Sequence, residues 1–129
     1  MFPSLHVYYT VHVMNKNTKS LLMFWEQQMR KAHTSSNYFF RKSPSHYHMM
    51  LLVMTAHFNK KNLSVEELKT KLFKTSRPKS ALITNEACEK GFFYLEKTSS
   101  DMRKKFIKPS IKFVSEFNEY LVTLKNLSG

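Results

Sequence analysis

A mainly α-helical fold with one small β-hairpin is predicted by three features of the sequence. Apolar residues recur at helical spacing along most of the chain. The segment Leu63-Ser64-Val65-Glu66-Glu67-Leu68 carries the residues of a capping box. After Gly91, an aromatic run, a polar turn and a basic run follow one another in the pattern of a hairpin.

The chain has 129 residues, enough for one domain that buries a core without disulfides or a structural metal. Its net charge of +12 points to a polyanionic partner. Cys88 is the only cysteine, so no intramolecular disulfide can form. There is no basic leader followed by an apolar run and a cleavage site, and no stretch of ~18 apolar residues. Cytoplasmic residence, away from membranes, is the expectation.

Taken in order, residues 5–13 alternate through Leu5, Val7, Tyr9, Val11 and Val13, which reads as a strand or extended arm, with a helical start as the alternative. Asn15 to Thr18 offer capping residues for a helix near 18–33, whose stripe includes Leu21, Leu22, Trp25, Met29 and Ala32. Residues 34–43 are polar and serine-rich around Tyr38 to Phe40 and read as a linker. Ser43 and Pro44 can open the next helix, with Tyr47, Met50, Leu51, Met54 and Phe58 on its apolar positions. Ser64 and Glu67 then cap a short helix reaching about Phe73, with Leu63 and Leu68 placed as a hydrophobic staple.

Lys74 to Arg77 form a tight connector. Pro78 starts a further helix that ends at Lys90, where Gly91 can take the left-handed conformation. Phe92 to Glu96 read as a strand, Thr98 to Asp101 as a turn, and Arg103 to Lys108 as a second, basic strand. Pro109 ends that strand and can start a last helix carrying Val114, Phe117, Leu121 and Leu124.

Two short helices joined by a tight turn make a helix-turn-helix, and the hairpin behind them is a wing: a winged helix-turn-helix. Charge gathers there. Residues 60–112 hold 14 Lys and Arg against 6 Asp and Glu, or +8 of the total +12. Double-stranded DNA is the polyanion that such a concentration fits.

The wing also resembles that of the MarR family of winged-helix regulators. Gly91, the apolar strand, and Ser100-Asp101-Met102-Arg103-Lys104-Lys105 are similar to that family's Asp-x-Arg wing signature with basic residues following. Lys108-Pro109-Ser110 stands where the family has Leu-Thr before its last helix. The resemblance spans roughly residues 18–127. Leu82, where many members carry arginine, Ala87 in place of leucine and Lys69 in place of alanine mark a divergent branch.

The resemblance implies a homodimeric transcriptional regulator that reads a near-palindromic site. Residues 1–17 would be an arm and 18–129 one winged-helix domain. Within it, 18–43 and 109–129 would supply the dimerisation helices and 44–108 the DNA-binding lobe. Arg103 would enter a minor groove, with Asp101 orienting the basic side chains of the wing. Such dimers hold small, often aromatic, acids between the dimer helices and the DNA-reading lobe. Trp25, Met29, Tyr47, Met50 and Met54 are the candidate lining, against the plainer reading that they are core.

For base or backbone contact the candidates are Ser76, Arg77, Lys79 and Ser80 at the helix start and Thr84 one turn on. Lys97, Ser99, Arg103 and Lys104 are the candidates in the wing. The six histidines show no spacing of a structural zinc site. Two glycines leave no phosphate-binding loop, and no nucleophile–base set stands out, so neither cofactor nor catalysis is expected. Cys88 reads as a packed residue rather than a redox sensor. The rival class is an architectural or protein-interaction winged helix that does not regulate a promoter.

Overall fold

The computed structural model describes residues 5–97 and 104–127, and only the backbone of residues 5–14. Helix α1 runs without a break over Leu5–Met29. The alternating segment is therefore helical, and Asn15 to Thr18 lie inside the helix rather than capping its start. The alternation Leu5, Val7, Tyr9, Val11, Val13 also contains the i, i+4 sets Leu5–Tyr9–Val13 and Val7–Val11. A helix satisfies its own backbone groups, whereas a strand needs a neighbour.

The serine-rich linker contains a helix, α2 (Ser36–Phe40), capped by Ser35 through the Tyr38 N–H. Its two phenylalanines, Phe39 and Phe40, are buried in the core. Helix α3 (Pro44–Phe58) opens at the expected cap, Ser43.

Strand β1 (Leu63–Ser64) leads into α4 (Val65–Lys71) and α5 (Arg77–Glu89). The serine half of the capping box forms: Ser64 Oγ accepts from the Glu67 N–H at 3.1 Å. In place of the expected return bond to the Ser64 N–H, Glu67 Oε1 accepts from the Ser64 hydroxyl at 3.2 Å. At the end of α5, Gly91 takes φ +79°. The Gly91 and Phe92 amides donate to Cys88 O and Ala87 O, closing the last turn.

Strands β2 (Phe93–Lys97) and β3 (Lys105–Pro109) form the hairpin, and β1 adds to the far side of β3, giving the antiparallel order β1-β3-β2. Ile107 is the register point, opposite Leu63 on one side and Leu95 on the other. Helix α6 (Ile111–Lys125) starts two residues after Pro109, with Ser110 as its cap. Phe39, Phe40, Phe92, Phe93 and Phe113, each 1–2% exposed, form the centre of the core. They tie α2, the start of the hairpin and α6 together.

His46, in the first turn of α3, sits beside this centre, its ring 5.1 Å from that of Phe39. Burial, then the nearby Lys42 ammonium, pushes its imidazole below the ordinary 6.5, with Lys79 adding to the effect and Glu86 opposing it. The fold thus favours the neutral ring. The unfolded chain takes up the proton more readily, so this contribution is complete above the unfolded pKa and is lost as pH falls through the folded one. Denaturant titrations at about pH 7.5 and about pH 5.5 should show lower stability at the acid pH. His46→Gln should narrow the difference; an unchanged difference would contradict the assignment.

Candidate DNA interface

Helices α4 and α5 are the helix-turn-helix, and α3 braces their turn. Ser45 Oγ lies 2.7 Å from Thr75 Oγ1. His48 Nδ1 accepts from the Phe73 N–H at 3.2 Å. Lys74 takes φ +48°, the sharp point of the turn. Behind the turn, Ile83 and Ala87 of α5 are buried in the core and fix which face of that helix is outside.

This phasing separates the five candidates on α5 and its cap. Arg77 and Lys79 project into solvent at the helix start. Arg77 reaches Glu66 Oε2 of α4 at 3.3 Å, and both side chains are largely exposed. An exposed pair of this kind contributes only ~0.2–1 kcal/mol, so a phosphate or base can displace the carboxylate at small cost. Ser76 is exposed, and its hydroxyl caps α5 by accepting from the Lys79 N–H.

Ser80 and Thr84 are corrected: they are 0% and 3% exposed and cannot reach DNA. They share the inner face with Ile83 and Ala87 and satisfy their hydroxyls locally. Ser80 donates to Ser76 O at 3.0 Å, and Thr84 donates to Ser80 O at 2.8 Å. Small hydroxyl residues that bond back to the preceding turn can be buried without an orphaned group. Their place on the outer face is taken by Leu82, noted in the sequence only as a departure from the family's arginine, and Asn85, which the sequence did not single out; both are exposed. The signal was available, because the apolar pair Ile83 and Ala87 at i, i+4 sets the helix phase.

In the wing, Lys97 ends β2 opposite Lys105, and Lys104, just before β3, holds its ammonium 5.7 Å from the Phe106 ring centroid. Both Lys97 and Lys104 are exposed. Ser99, Asp101 and Arg103 lie outside the described residues.

A cleft of about 520 Å³ opens between α1, α2, α3 and α6. Three of the candidate lining residues, Trp25, Tyr47 and Met50, border it together with Phe24, Arg41 and Tyr120. Two expected lining residues are elsewhere. Met54 is 1% exposed within the core, and Met29 faces solvent outside the cleft. The Tyr47 and Tyr120 hydroxyls meet at 2.8 Å and join α3 to α6; burial, then this bond, raises the Tyr120 phenol above its usual range.

Cys88 packs against the core, and burial pushes its thiol up, away from the reactive thiolate. Among the described residues, no helix is long and apolar enough to cross a membrane.

The braced helix-turn-helix, the three-stranded wing sheet and the long flanking helices define a winged helix-turn-helix protein. Solved structures of MarR-type regulators share this fold. S. aureus MepR bound to ethidium bromide matches with a TM-score of 0.64 and 10% identity, over 98% of this chain and 79% of that one. An S. aureus MepR–DNA complex matches at 0.57 and 12%, over 96% and 78%. MarR matches at 0.53 and 12%, over 92% and 77%. The chain has the winged-helix fold seen in the MarR-type regulators, at only 10–12% identity to these three structures. No family model and no curated protein matches the sequence.

Proposed function

We propose that the chain is a sequence-specific DNA-binding transcriptional regulator that acts as a homodimer on a near-palindromic site. The observation that carries this is the presentation of α5. The α3 brace and the capping of Ser76 hold its first turn outward, with Arg77 and Lys79 exposed and a basic wing following in the chain. A helix presented by its N-terminal residues is what major-groove reading requires. The wing cations Lys97 and Lys104 suit backbone contact, and Ser99, Asp101 and Arg103 complete the proposed wing set. The MepR–DNA complex, which shares the fold, supports the reading.

The cleft is the proposed site of a small effector. Aromatic walls from Phe24, Trp25, Tyr47 and Tyr120, the Arg41 cation and the absence of a carboxylate from its lining suit a planar aromatic anion. The ethidium bound to MepR is planar and aromatic but cationic, so it supports the aromatic walls as the ligand-holding feature and not the sign of the ligand's charge.

Arg77→Ala tests the reading of α5. It should cost ~1–3 kcal/mol on the preferred site and much less on random DNA, measured by fluorescence anisotropy. Equal losses on both would make Arg77 a phosphate contact and favour an architectural protein that binds without a preferred site.

A further inference from the structure

The outer face of α5 carries the stripe Pro78, Leu82, Asn85 and Glu89, spaced i, i+4, i+7 and i+11. All four residues are exposed. The basic residues Arg77 and Lys79 stand at the first turn, so the middle of the face is apolar and amide rather than cationic. Leu82 is 58% exposed, a large apolar side chain left in water on the helix whose inner face is packed. The Asn85 side chain is exposed, so its amide can face an outside partner.

These two side chains have distinct counterparts in a major groove. An aliphatic group meets the thymine C5-methyl, the only apolar group on the groove floor. A side-chain amide pairs with adenine N6 and N7. Over a guanine or cytosine, Leu82 would cover O6, N7 or N4 without giving it a hydrogen-bond partner, which penalises those bases. Three helical residues rise ~4.5 Å, close to the ~3.4 Å spacing of base pairs, so Leu82 and Asn85 reach the same or neighbouring steps.

We propose that Leu82 and Asn85 select an A·T step in the centre of each half-site, Leu82 through a thymine methyl and Asn85 through an adenine edge. This rests on the reading of α5 as the groove-entering helix.

The test starts from duplexes selected out of a random pool. In the selected site, each thymine of the half-site centre is replaced in turn by deoxyuridine, which removes only the methyl, and each adenine by 7-deazaadenine, which removes only the N7 acceptor. One uracil replacement should weaken binding about fourfold, the value of one buried methyl. Leu82→Ala should lose that factor on the thymine duplex and become indifferent to the replacement. Asn85→Ala should relax the adenine preference by ~5–150-fold and lose its response to 7-deazaadenine. Both side chains are exposed, so both variants should fold. A selected site with G·C at the half-site centre, or a wild-type protein indifferent to every uracil, overturns the proposal and leaves the regulator reading standing. Salt-sensitive binding with no selected sequence overturns both.

Discussion

Phe40→Ala should lower the unfolding free energy by ~3–5 kcal/mol, the cost of emptying a buried phenylalanine site. The Phe40 ring lies 4.8 Å from Phe39, 5.8 Å from Phe92, 5.3 Å from Phe93 and 5.1 Å from Phe113, centroid to centroid. One side chain thus touches α2, the start of the wing hairpin and α6. The collapse that relieves a cavity elsewhere is limited here, because four neighbouring rings cannot close on it together. Against a total stability of ~5–15 kcal/mol for a domain, the loss is a large fraction. Urea titration of the variant should show a lower midpoint with an unchanged slope. A change below ~1 kcal/mol would mean that α2 is a peripheral turn and that Phe40 lies outside the core.

The second large effect concerns assembly. On α1, Leu22, Trp25 and Met29 follow i, i+3, i+7 and are each at least half exposed. Leu21 and Met23 beside them, and Val122 of α6, are exposed as well. An apolar surface this extensive marks an interaction site. A second copy of the chain is the proposed partner. The triple change Leu22→Gln, Trp25→Gln and Met29→Gln keeps the net charge and removes the stripe. Light scattering should fall from about twice the 15.3 kDa chain to one chain. Affinity for a duplex with two half-sites should drop ~10²-fold or more, because the second contact is no longer tethered to the first. Binding to a single half-site should stay close to that of the wild-type protein. A wild-type protein that already scatters as one chain would refute the dimer.

Where the fold was legible in the sequence, the reason was length or punctuation. The helices at α3, α5 and α6 exceed three turns, and their caps Ser43 and Gly91 act through local hydrogen bonding or backbone freedom. The capping box at Ser64 is likewise local. Helix α2 has five residues and β1 has two, too few for either periodicity to register. Both are held by tertiary contacts: Phe39 and Phe40 in the core, and Leu63 paired to Ile107. At the N-terminus, an alternating pattern fits two helical stripes as well as one strand face, so it could not decide between them.

The candidate interface was legible in part for a related reason. Arg77 and Lys79 follow from chemistry alone, since cations at a helix start suit DNA wherever the helix is exposed. Ser80 and Thr84 were chosen for polarity, and polarity does not reveal which way a small hydroxyl faces when it can bond to the preceding turn. Leu82 and Asn85 required the helix phase, which Ile83 and Ala87 set. The cleft joins residues from four helices, and Met29 and Met54 were misplaced because their stripes say nothing of how those helices meet.

Selection of bound duplexes from a random DNA pool, followed by a salt titration on the winner, tests the central claim most directly. The expected result is an enriched near-palindrome with half-sites one helical turn apart, bound ~10³–10⁷-fold tighter than random DNA. Binding that collapses with salt and favours no sequence would contradict it, as would no binding at all.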